Sequence, residues 1–166
     1  MSSPVGEADR AMQSVGPILI AACAQKEPSW FLLILTGMVR LTEQQVRILN
    51  GKNFATVATV MPDGSPEATV VWIETDGIYI YLNTAFPRLK ARNLQRDHRV
   101  AITVFDCKDP YNEVLAIRGR VELILEGADE HIDKLSRMYE GKPFKDFRQG
   151  QTRVIVKVTP ERIHVQ

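Results

Sequence analysis

Two spacings of apolar residues alternate along most of this chain. Residues 54–61 and 66–73 are rich in β-branched side chains and are joined by Pro62-Asp63-Gly64-Ser65, which reads as a hairpin. A second turn, Thr75-Asp76-Gly77, leads into 78–83, where Ile78, Ile80 and Leu82 alternate with Tyr79 and Tyr81. Residues 100–105 predict a fourth strand. Over 114–125, Leu115, Ile117, Val121, Leu123 and Leu125 form an apolar face, while Arg118, Arg120 and Glu122 point the other way. Gly119 marks a bend or a close approach within that strand. Residues 152–159 and 163–165 predict the closing strands.

Helical spacing is rarer. Thr42 and Gln45 form a capping box, with Leu41 placed to pack on Val46, and the helix is expected to stop near Asn50-Gly51. A second helix is expected to begin at Pro87, a residue favoured at the first helical position, and to run through Leu94. A third covers about 128–140, with Ile132, Leu135, Met138 and Tyr139 on one face and Asp129-Glu130 suiting the dipole of its first turn. Hairpin-linked strands with few helices predict a mainly β protein, an antiparallel barrel rather than a parallel α/β sheet.

No repeat, low-complexity run or linker divides residues 38–166, which read as one domain. Residues 1–37 are expected to be a poorly packed extension, or the result of a start assigned too early, with Met38 as the initiator. Their apolar runs, 17–24 and 30–38, fall well short of the roughly 20 residues a membrane helix needs. Glu7 and Asp9 outnumber Arg10, against a secretory leader. No membrane association is expected.

Composition narrows the chemistry. At 166 residues, 45% hydrophobic and 25% charged, the chain can bury a core without disulfides or metal. A net charge of +1 supplies no global field for nucleic acid or anionic membranes, so any basic site must be local. Cys23 and Cys107 have no pair spacing for zinc or a disulfide framework, which suits a cytoplasmic protein. His98, His131 and His164 each lack a second ligand at metal spacing, so no metal is expected. There is no G-x-S-x-G elbow, Walker loop or G-x-G-x-x-G. An enzyme of this kind would draw its reactive atoms from a bound cofactor.

The best candidate for its site is the stretch from Asn83 to Leu94, where a strand ends, a turn follows and a helix opens. First-turn amides of a helix are unpaired and carry partial positive charge, so anions bind there. Arg88 and Lys90 add full charges, and Thr84 adds a hydroxyl donor. Basic residues at a helix start oppose the dipole, a conflict that an anionic ligand resolves. A solvated basic helix carrying Arg88, Lys90, Arg92 and Arg96 is the other reading, and spacing alone leaves both open.

A resemblance goes further. Asn53-Phe54-Ala55-Thr56-Val57-Ala58-Thr59-Val60, Pro62-Asp63-Gly64-Ser65-Pro66 and Val71-Trp72-Ile73 resemble the opening of the pyridoxamine-phosphate-oxidase-like split-barrel proteins. So do Asn83-Thr84, Arg88-Leu89-Lys90-Ala91-Arg92-Asn93-Leu94, Asp97-His98-Arg99-Val100-Ala101 and Asp109-Pro110-Tyr111. Arg118-Gly119-Arg120-Val121-Glu122, the run from Gly127 to Asp133, and Tyr139-Glu140-Gly141-Lys142-Pro143 complete the match over about 41–165. The resemblance is nearest to the actinobacterial branch that uses the deazaflavin coenzyme F-420, where an Arg-x-Lys-x-x-Asn run holds the cofactor phosphate. Arg88, Lys90 and Asn93 match that run. Flavin-mononucleotide (FMN) oxidases have adjacent Arg-Lys, and a basic residue opening the second strand where this chain has Glu67.

The resemblance implies a split antiparallel Greek-key β-barrel, a homodimer, and a cofactor at the subunit interface. It lays the cofactor ring along the backbone of Thr69, Val70, Val71 and Trp72, beside Asn83 and Thr84; the Trp72 side chain itself reads as a plain core or interface aromatic. The implied activity is hydride transfer from reduced F-420 to an unsaturated small-molecule acceptor. No catalytic side chain is assigned, and Tyr111, in a loop placed beside the neighbouring subunit's cofactor, is the candidate proton donor. The alternatives are an FMN-dependent oxidase, a biliverdin-type reductase, or a flavin or heme carrier without turnover.

Overall fold

In a computed structural model, residues 39–165 are described, apart from Cys107, Pro110 and Asn112. The extension expected over 1–37 lies outside the described residues. The chain order is α1 (Glu43–Asn50), β1 (Ala55–Val60), β2 (Pro66–Val71), β3 (Ile73–Thr75), β4 (Ile80–Phe86), α2 (Leu89–Arg96), β5 (Arg99–Phe105), β6 (Val114–Ile124), α3 (Ala128–Glu140) and β7 (Thr152–Val165). Among the described residues no helix is long and apolar enough to cross a membrane.

The strands form one antiparallel sheet in the order β2-β1-β5-β6-β7-β4-β3. Its two edge strands, β2 and β3, are consecutive in the chain and meet at Trp72. The sheet therefore curls on itself with both edges left unpaired to each other, giving the expected mainly β split barrel. Alternation decides the inside: Val57, Ile73, Ile80, Leu82, Ile102, Val104, Leu115, Ile117 and Val156 are all buried in one core. Ile48 and Leu49 of α1 join that core. The capping box forms as expected, with the Thr42 hydroxyl accepting from Gln45 N–H and the Gln45 side chain accepting from Thr42 N–H.

Several boundaries differ from expectation, for backbone reasons. The strand expected over 78–83 is Ile80–Phe86, because the Asp76 side chain draws the N–H groups of Ile78 and Tyr79 into the turn and the ladder to β7 runs on to Phe86. Residues 66–73 are not one strand, because the ladder to β1 ends at Val71 and the ladder to β4 begins at Ile73. Residues 152–165 are one strand, not two. Pro160 has no N–H to give a ladder, and the register shift opposite Arg118/Gly119 accommodates it and its neighbour Glu161 as an irregularity. Pro87 does not open α2: it belongs to the preceding turn, where the Phe86–Pro87 peptide is cis and Arg88 N–H donates to the Ala85 carbonyl at 2.9 Å.

Gly119 is the close approach that β6 was expected to contain. A Cβ there would stand 2.4 Å from the Thr159 carbonyl oxygen, which is backbone and cannot swing aside. Gly119→Ala is expected to destabilise the protein by about 1–3 kcal/mol. Urea denaturation checks it, as a lower midpoint with an unchanged slope; an unchanged midpoint would mean that the strands part at no cost.

Candidate functional site

The turn at residues 85–88 aims the start of α2 across the end of β4 toward β7, where Arg153 is the register partner of Ala85. The helix begins with Arg88 at its N-cap position, no side-chain cap bond and no acid in its first turn. Local stability does not explain such a start, since Ser, Thr, Asp or Asn would cap it better. Arg88, Lys90 and Arg153 instead converge on one cavity of about 220 Å³.

Six of the expected site residues line that cavity: Val70, Val71, Trp72, Asn83, Arg88 and Lys90. Thr69, Thr84 and Asn93 do not. Thr84 shares the strand parity of Ile80 and Leu82, whose side chains are in the core, so it falls on the barrel side of β4. Asn93 is 1% exposed and faces β1, donating to Thr59 Oγ1 at 3.0 Å, while Thr59 donates to Glu67 at 2.8 Å. Tyr111 is 92% exposed and is not among the residues lining the cavity.

The charges of the cavity are lopsided. Among the described residues, none of Arg88, Lys90 and Arg153 forms an ion pair. Arg88 donates to Gln151 Oε1 at 3.4 Å. Arg153, 7% exposed, lies 4.4 Å over the ring of Phe144 and donates to Asn83 Oδ1 at 3.4 Å. Phe144 is itself held by its N–H, which donates to Asp133 of α3 at 2.8 Å. Burial pushes the Lys90 ammonium below its ordinary pKa; Glu67 opposes that shift and Arg88 adds to it. Burial lowers Arg153 too, followed by repulsion from Arg88, while Asp146 and Asp129 oppose the shift through space. Asp146, the acid among the lining residues, is paired with Arg148 at 3.0 Å. Unpaired buried cations cost stability, and an anion entering here would relieve that cost.

Part of the lining is aromatic. Trp72 stacks on Tyr139 of α3, ring centroids 5.5 Å apart and planes 18° from parallel, and Phe54 tilts against the same ring at 5.7 Å. The Tyr139 hydroxyl accepts from Ile73 N–H at 3.1 Å and donates to the Asn53 carbonyl at 2.7 Å, with the Ile73 carbonyl 2.9 Å away. It serves the backbone at the break between β2 and β3.

Sequence reasoning missed Arg153, Phe144 and Tyr139 as site residues. In β7, Arg153, Ile155 and Lys157 alternate with buried valines, the pattern of a face turned to water. Nothing local signals that α3 and the loop after it cover part of that face.

One matching family is found. The family described as pyridoxamine 5'-phosphate oxidase matches residues 41–166. The chain belongs to the pyridoxamine 5'-phosphate oxidase family. This family member is similar to a solved F420 reductase, at 28% identity and TM-score 0.66 over 75% of this chain and 98% of that one. It is also similar to a conserved hypothetical protein from Mycobacterium tuberculosis, at 27% and 0.62 over 78% and 86% of the two chains. Its likeness to HupZ from Group A Streptococcus, at 20% and 0.56 over 75% and 94%, is one of fold.

Behind Asn83, the family member carries a buried acid. Glu74 accepts from Lys134 at 2.7 Å and from His131 Nε2 at 3.1 Å. Burial pushes its carboxyl up, but the hydrogen bonds from His131 and Lys134 outweigh it, and the pKa is lowered from 4.5. A folded value below the unfolded one stabilises the fold fully above that ordinary value, and the stabilisation is lost as pH falls through the folded value. Glu74→Gln is therefore expected to melt lower than the natural chain at pH 7, with the gap narrowing as pH falls below about 4.5. Melting curves from pH 7 to pH 3 test this, and a gap independent of pH would contradict it.

Proposed function

We propose that this protein is an F-420-dependent oxidoreductase that reduces an unsaturated small-molecule acceptor. The observation that carries the reading is a cavity lined by three cations, none in a direct ion pair among the described residues, and by the aromatic side chains of Phe54, Trp72 and Phe144. A planar ring with an anionic tail matches both kinds of lining. The cavity is smaller than the roughly 300–1,000 Å³ of a site that encloses a drug-sized ligand, so it takes one end of an extended molecule.

The residues present fit such a cofactor. Arg88, Lys90 and Arg153 would hold its phosphate, the last from a buried position where electrostatic attraction is least screened. Val70 and Trp72 flank the end of β2, an edge strand with one side of its backbone unpaired and free to bind a ring's polar rim. Trp72, Phe54 and Phe144 exclude water. When bound, reduced F-420 supplies a hydride, which the acceptor takes up together with a proton. Leu89 between Arg88 and Lys90, and Glu67 rather than a base on β2, favour this over an FMN-dependent oxidase. A biliverdin-type reductase and a non-catalytic flavin or heme carrier are the other readings. Parallel fluorescence titrations with F-420, FMN and biliverdin separate the ligands, and reduction of test acceptors separates enzyme from carrier. Purification of a protein loaded stoichiometrically with FMN would overturn the F-420 reading.

Position within α2 provides a sharper check. Lys90 lines the cavity, whereas Arg96 turns away, donating to the Val60 carbonyl and to Asn93. Lys90→Ala is expected to weaken F-420 binding by about tenfold or more, the worth of a charge-assisted bond to phosphate. Arg96→Ala should weaken it only slightly, once circular dichroism shows that both variants fold. Equal, small losses would reduce the helix to a solvated basic face.

A homodimer completes the proposal. The side of β2, β1 and β5 away from the core carries Val70, Thr56 and Thr103 in one cross-strand row and Ala68, Ala58 and Ala101 in the next. These side chains are short and wholly or partly exposed, so a second copy can lie flat on them about a two-fold axis. Light scattering should give a dimer for the natural chain and a monomer for Ala101→Glu. A monomeric natural chain that still binds F-420 tightly would sink the dimer.

A further inference from the structure

The buried guanidinium of Arg153 is held without being neutralised. Its two direct contacts, the Asn83 carboxamide oxygen and the face of Phe144, are both uncharged, and the acids that act on it, Asp146 (paired with Arg148) and Asp129, do so only through space. A carboxylate in place of Asn83 would hold it more strongly but would cancel the charge that an anionic ligand needs. What keeps the amide turned this way is therefore part of the site.

Asn83 Nδ2 donates to the Ala128 carbonyl at 2.8 Å, a group that only accepts, which settles which end of the amide is nitrogen. The second Nδ2 hydrogen faces His131 Nδ1 at 3.2 Å, so that ring nitrogen must offer a lone pair. The ring proton then sits on Nε2, which faces Glu74 at 3.1 Å. Glu74 is also paired with Lys134, and the edge of Tyr81 packs against the imidazole at 6.4 Å. Each polar atom of the chain Glu74–His131–Asn83–Arg153 has one orientation. Its negative end lies beyond two side chains from Arg153 and is offset by Lys134.

We propose that His131, which does not line the cavity, is a positioning residue that acts through Asn83 to present Arg153 as an uncompensated cation. The proposal rests on the anionic ligand of the function above. It differs from a plain structural tie between α3 and β4 in one respect: its effect on binding must pass through Arg153.

The test uses the full chain with F-420 as probe, and with inorganic pyrophosphate as a second anion. His131→Leu should weaken F-420 binding by about fivefold, yet change it by less than about twofold in an Arg153→Met background, a coupling of ordinary size for residues in one network. His131→Asn, whose Oδ1 can replace Nδ1 as the acceptor, should restore most of the affinity although the Glu74 contact is lost. Equal losses in both backgrounds, or His131→Asn no better than His131→Leu, would overturn the proposal. A ligand-free readout keeps it separate from the function reading. Nitrogen-15 spectra should show His131 as the Nε2–H tautomer, and His131→Leu should speed hydrogen exchange at the Arg153 Nη1 that donates to Asn83. If F-420 does not bind the natural chain, the function reading fails, while unchanged exchange at Arg153 would still overturn this one. If His131→Leu does not fold, Asn83→Asp replaces it: pyrophosphate affinity should fall although Arg153 gains a partner, and an undiminished affinity would be contrary.

Discussion

The Tyr139 hydroxyl sits where the fold can least spare a hydrogen bond. A sheet whose edge strands are consecutive in the chain must turn a corner between them, and here the corner is Trp72. The ladder stops there, so backbone groups that a straight strand would pair need another partner. One phenol, from the last turn of α3, bonds Ile73 N–H and the Asn53 carbonyl and stacks its ring on Trp72. That contact holds α3 against the open end of the barrel. With α3 fixed, the loop after it carries Phe144 to Arg153, and the cavity acquires its second wall.

Against this frame the cations stand out energetically. Surface charges cost little, but a guanidinium 7% exposed and without an ion pair among the described residues is an expense the fold has no reason to bear for itself. The arrangement limits the cost by using neutral acceptors and an aromatic face, which hold the group and leave its charge available. Asn93, by contrast, spends its amide on Thr59 and ties α2 to β1. The helix that presents Lys90 is thus anchored by the residue that the family resemblance assigned to the ligand.

Much of the fold was legible in the chain. The β-branched run over 54–61, the alternation over 114–125, the turn residues at 62–65, and the capping box at Thr42 are local devices, and each produced the element it predicts. Gly119 was legible as a close approach, because a glycine inside an apolar strand needs a steric reason. The boundaries that slipped, at Trp72, Phe86, Pro87 and Pro160, lie where the backbone leaves its ladder or helix. There the outcome depends on partners far away in the chain, not on propensity.

The site divides along the same line. The sequence by itself determined the basic opening of α2, because it is written in consecutive residues, but it placed the end of the preceding strand at Asn83, three residues short of Phe86. It could not show that Arg153 joins Arg88 and Lys90, since 63 positions separate Arg88 from Gln151, its contact beside Arg153. Nor could it show that Asn93 turns inward while Asn83 turns toward the cavity. Both are asparagines within the stretch from Asn83 to Leu94, and only the packing of α2 on β1 and of α3 on β4 decides which amide is consumed by the core. Periodicity assigns a residue to a face; which element covers that face, and so whether a charge there meets water or a ligand, is set by tertiary contacts alone.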